Sequence, residues 1–97
     1  MKEFKGTPGP WVVDANVVQA RWNIDDAKGN SVALTHQLPG DKDWQKRDAN
    51  THLIAAAPEL LEALQKMVSK AHKQNWNERY ESEMNAARAA INKALGE

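Results

Sequence analysis

The chain has 97 residues, with 13 basic side chains against 13 acidic ones and no cysteine. The length bounds one small core, and the balanced charge gives no global field toward nucleic acid or an anionic membrane. Without cysteine, disulfides, thiolate nucleophiles and thiolate metal sites are excluded together.

Residues 1–10 read as a tail and loop. Met1 to Gly6 is charged with no apolar run behind it, so a secretory signal is not expected. No apolar run approaches the roughly 20 residues of a membrane span. The expected location is the cytosol. Pro8, Gly9 and Pro10 prevent helix and deliver Trp11 to a short strand over Trp11 to Asp14, followed by a tight turn at Ala15-Asn16.

Val18, Ala20, Trp22 and Ile24 alternate with Val17, Gln19, Arg21 and Asn23, which predicts a second strand with one apolar face. Asp25 to Asn30 is rich in turn formers, with Gly29 at the left-handed position. A third strand follows, Val32 and Leu34 forming its apolar side against Ser31, Ala33 and Thr35. These runs predict an antiparallel meander over about 11–36. Leu38 to Asp43, rich in breakers, predicts a mobile loop over 37–43.

Helical character then begins. Leu53, Ala57, Leu60, Leu61, Leu64, Met67, Val68 and Ala71 recur at spacings of three and four, placing them on one stripe of a segment over 44–72. Pro58 should kink that segment or break it into two helices. His72 to Asn77 reads as a turn, Asn75 or Asn77 as a cap, and 77–95 as a last helix ending at Gly96. Its stripe is Tyr80, Met84, Ala87, Ile91 and Leu95. The expected fold is a single α+β domain, a three-stranded antiparallel meander packed against a C-terminal antiparallel helical pair.

Two motifs carry a resemblance. Thr7-Pro8-Gly9-Pro10-Trp11, a meander, and then Ala49-Asn50, two residues, and Leu53-Ile54-Ala55-Ala56-Ala57-Pro58-Glu59-Leu60-Leu61-Glu62-Ala63-Leu64 resemble a group of small tailed-phage and prophage accessory proteins. The resemblance covers nearly the whole chain in order and spacing. It implies a non-essential early or accessory phage product, a class often directed against host defences or regulators and mostly without assigned function. Where that group usually has Ala-Arg, this chain has Thr51-His52, so no role of that arginine carries over.

Catalytic signals are absent. His36, His52 and His72 sit at no ligand spacing with each other, and Ser31, Ser69 and Ser82 lie in no nucleophile elbow. Neither an enzyme, a metal nor a cofactor is expected. The expected ligand-binding residues are Trp11, Trp44, Arg47, Asn50, Thr51 and His52. Asn50-Thr51-His52 lies near a helix start, where amides and Arg47 could face an anionic or nucleotide-like ligand, and Trp11 enters the sheet nearby. Trp44 with Lys42, Lys46 and Arg47 forms a small basic-aromatic cluster, partly cancelled by Asp41, Asp43 and Asp48.

The expected function is a non-enzymatic, phage-derived binding protein that interferes with a host process, foremost an anti-defence factor binding a host protein or sequestering a nucleotide signal. The alternatives are a nucleic-acid-associated accessory factor and a structural or assembly protein. A homo-oligomer is expected through the second sheet face, at Val12 or Val17.

Overall fold

The computed structural model describes residues 3–16, 21–36 and 44–97, with the side chains of Ala15, Asn16, Arg21, His36, Trp44, Trp76 and Asn77 outside that description. The expected loop 37–43, with Lys42, and residues 17–20, the first half of the expected second strand, with Val17, also lie outside it.

Strands β1 (Val12–Asn16), β2 (Arg21–Asp25) and β3 (Ser31–His36) form one antiparallel sheet in the order β1-β2-β3. This is the expected meander. The Ala15-Asn16 pair, however, ends β1 and pairs with Trp22 and Arg21, so it makes no turn. The β2–β3 turn is closed by local chemistry. The Asp26 carboxylate accepts from the Lys28 amide at 2.9 Å and the Asn30 amide at 2.8 Å, and Gly29 takes a φ of 85°.

Register decides which side of each strand is covered. Val13 opposes Ile24, which opposes Ala33; Trp22 opposes Thr35. These residues share one face, on which Ile24 is fully buried. The expectation of Val32 and Leu34 as the apolar side of β3 is therefore corrected. Asp25 pairs with Ser31 while Ile24 pairs with Ala33, leaving Val32 as a bulge, and Leu34 is 44% exposed on the other face.

Helix α1 runs over Trp44–Lys73 as one element with Pro58 inside it, so the expected break into two helices does not occur. A proline removes one helical hydrogen bond, and the flanking turns, rich in alanine and leucine, carry the helix across it. Asn75 follows with a φ of 59° in the turn. The expected single helix over 77–95 is instead α2 (Trp76–Arg79) and α3 (Glu81–Ala94). Tyr80 between them has a non-helical backbone and serves as N-cap without a side-chain capping bond. Gly96, at a φ of 81°, ends the chain's last helix as expected.

The chain divides into two compact units, Thr7–Glu59 and Met1–Gly6 with Leu60–Glu97. In the first, the sheet meets the N-terminal part of α1. In the second, Val68 and Ala71 of α1 pack with Met84 and Ile91 of α3, joined by Leu61, Leu64, Ala87 and Leu95. Leu53, Leu60 and Met67 of the expected core stripe are exposed, at 63%, 52% and 68%.

Candidate functional site

In the first unit, the opening turns of α1 lie against the covered sheet face. Thr51 is fully buried there. Its hydroxyl donates to the Arg47 carbonyl one turn back, 2.7 Å away. With its proton so committed, it accepts from the Thr35 hydroxyl at 2.6 Å. A helix and a strand are thereby fixed by one polar contact, which carries a full cost if either partner is lost.

Trp22 lies beside that contact. The Arg47 guanidinium sits 5.2 Å from the centre of its ring, within cation–π range. Nε and Nη2 of Arg47 also reach one carboxylate oxygen of Asp48, at 3.1 and 3.0 Å. His52 meets Trp22 edge to face, with ring centres 5.9 Å apart and planes at 84°. The Arg47 side chain is only 9% exposed, whereas His52 and Asn50 face solvent.

Three of the six expected residues thus gather round Trp22, namely Arg47, Thr51 and His52. Asn50 lies on the exposed helix surface next to them. Trp11 is tied to its own loop, its indole N–H donating to the Thr7 carbonyl at 3.1 Å. The side chain of Trp44 lies outside the described residues. Arg47 turns toward Trp22 and Asp48, while Lys42 and the Trp44 side chain of the expected basic-aromatic cluster lie outside the described residues. Two residues of the site were not expected, Trp22 and Thr35. The strand period signalled Trp22 as core, and the register that brings Thr35 beside it depends on the bulge.

On the opposite sheet face, the Asn23 side-chain oxygen is buried with no hydrogen-bond partner among the described residues. In the second unit, a groove of about 350 Å³ between α1 and α3 has a floor of Val68, Ile91 and Leu95. Ser69, His72, Arg88 and Asn92 line its rim. Among the described residues no three of His, Asp and Glu come together as a metal-binding group, and no helix is long and apolar enough to cross a membrane.

None of the curated proteins and none of the solved structures compared with the chain matches it. A family model does match, described as Salmonella phage P22 protein Y8K6, over residues 1–97, and the chain belongs to that phage protein family.

Proposed function

We propose that this phage protein is a non-enzymatic accessory factor that binds a host protein and so blunts a host defence. The observation that carries the reading is the Trp22–Arg47–His52 cluster, held from beneath by the buried Thr35–Thr51 contact. A rigid tryptophan and arginine beneath an exposed histidine and asparagine form the kind of anchored patch on which protein interfaces concentrate their energy. The phage family is the setting for this reading.

The same cluster favours a protein target over a sequestered nucleotide. Arg47 already serves Trp22 and Asp48 and is largely covered, so its charge is spent within the fold rather than offered to a phosphate. A nucleic-acid role draws less support, because the chain's charge balances to zero and its arginine nearest the aromatic cluster points inward.

The test is infection of hosts that carry defined defence systems, with and without the protein. The expected result is restored plaque formation on at least one defended host, lost when Asn50→Ala and His52→Asp are combined in a protein that still folds. Protection on no defended host, or protection unaffected by the double variant, overturns the reading.

A further inference from the structure

Helix α1 packs its own chain with only part of its circumference. Thr51 and Pro58 face the first unit, and Leu61, Val68 and Ala71 belong to the second unit's core or its margin. A different face carries Ala49, Leu53, Ala56, Leu60, Ala63 and Met67. Leu53, Leu60 and Met67 are more than half exposed, Ala49 and Ala63 are exposed, and Ala56 is half-buried. Their spacings alternate between four and three residues, a period of three and a half. That is the period of a helix seam made to meet another helix.

The order of residues in this seam identifies the second helix. Read forward it runs small, large, small, large, small, large; read backward it runs large, small and so on. Laid against itself in the antiparallel sense about a twofold axis near Pro58, every layer becomes complementary. Ala49 meets Met67, Leu53 meets Ala63, and Ala56 meets Leu60, each twice by symmetry. A large side chain then fills the space over an alanine in all six layers, and the axes can approach to the short end of the roughly 8–10 Å range. The parallel arrangement instead stacks leucine on leucine and alanine on alanine, with gaps at every second layer. The next layer outward sets Lys46 against Lys70, like charges that oppose association, so the apolar seam ends there on both sides.

We propose that the chain forms a twofold dimer through this face of α1, its occupant being the same face of a second copy. The seam extends about 27 Å at 1.5 Å per residue. Two such faces bury on the order of 1,000 Å² together, the lower bound for a specific interface. The antiparallel sense also sets each helix dipole against its partner's favourably. The dimer places the partner on α1 and leaves the outer sheet face, with Val12, open. It stands independently of the host-protein reading, since its evidence is confined to α1.

The test is sedimentation equilibrium of the full chain over a concentration series reaching about 100 μM. The expected mass is twice 10.8 kDa. Leu60→Glu should return it to that of one chain with an unchanged circular dichroism spectrum, while Val12→Glu should leave the dimer intact. Because the chain has no cysteine, cross-linking reports the register directly. A mixture of Leu53→Cys and Ala63→Cys proteins should form a mixed disulfide under mild oxidation, and neither variant alone should cross-link. This second measurement decides the matter if Leu60→Glu does not fold. A one-chain mass throughout the series overturns the proposal, as does a dimer lost with Val12→Glu. Cross-linking of Leu53→Cys protein with itself indicates the parallel arrangement and overturns it too.

Discussion

Gly9 lies directly against Pro58: a β-carbon built on Gly9 would stand 2.7 Å from the Cβ of Pro58 and 3.3 Å from its Cγ. The Thr-Pro-Gly-Pro-Trp loop and the proline of α1, the two motifs most distinctive in the sequence, are thus a single packing contact. Glycine is required there for room, because the neighbour is a rigid ring with no rotamer to yield. Gly9→Ala should therefore destabilise the protein by about 1–3 kcal/mol, the usual cost of overpacking a tight site. Thermal unfolding followed by circular dichroism measures it. A melting temperature equal to that of the parent protein would mean the loop moves freely off Pro58.

The Thr35–Thr51 pair makes a second prediction. Thr51→Val keeps the shape but removes a buried hydroxyl, leaving the Thr35 hydroxyl only its long 3.5 Å contact to the Trp22 carbonyl. The expected loss is about 1–3 kcal/mol in denaturant unfolding. Thr51→Ser preserves both hydrogen bonds and should cost less than Thr51→Val. The order of the two variants is the check, because a purely apolar role for Thr51 would reverse it.

These contacts show why some of the fold could be read in the sequence and some could not. The β2–β3 turn was legible because Asp26, Gly29 and Asn30 specify it through bonds among near neighbours. The polar run Arg47 to His52 was legible as a candidate site because it sits near a helix start. Trp22 was not, since a tryptophan on an apolar strand face looks the same whether it is core or the base of a patch. The covered side of β3 was missed because the bulge at Val32 exists only in the pairing of β2 with β3. Whether α1 continues through Pro58 or breaks there was left open by the sequence for a similar reason: propensity weighs the proline alone, while the flanking helix and the Gly9 contact act from outside it. In the helical stripe, the spacing named both exposed and buried leucines, because a helix can present one apolar face to its own core and a second to a partner.

Stability should also fall in acid in a traceable way. The Asn30 amide, followed by the Lys28 amide, holds the Asp26 carboxyl below its ordinary value of 3.8. Its hydrogen bonds therefore contribute fully above the unfolded-state value and are lost as the pH falls through the lower, folded-state value. Lys66 lowers Glu62 in the same direction through a 2.9 Å ion pair on α1. Asp26→Asn retains an acceptor for both amides but cannot titrate, so melting temperature plotted against pH should decline less steeply on the acid side than in the parent protein. Identical acid limbs in the two proteins would assign the pH dependence to other carboxylates.

The contrast between Ile91 and Leu60 separates the inward face of the helices from the outward one. Ile91 is 5% exposed and contacts the cluster of Val68, Ala71 and Met84, so Ile91→Ala removes buried methyl groups and leaves a cavity. The expected cost is about 2–5 kcal/mol. Leu60 is 52% exposed on the other side of α1. In protein dilute enough to keep chains apart, Leu60→Ala should change stability by no more than about 0.5 kcal/mol. At high concentration the same substitution should lower the melting temperature, because a dimer adds stability that grows with the logarithm of chain concentration relative to its Kd, and the variant weakens that dimer. Concentration-dependent melting of the parent protein, lost in Leu60→Ala and retained in a folded core variant, would separate an association surface from a merely exposed leucine. If the melting temperature of the parent protein is the same across the concentration range, Leu60 contributes nothing beyond its own chain.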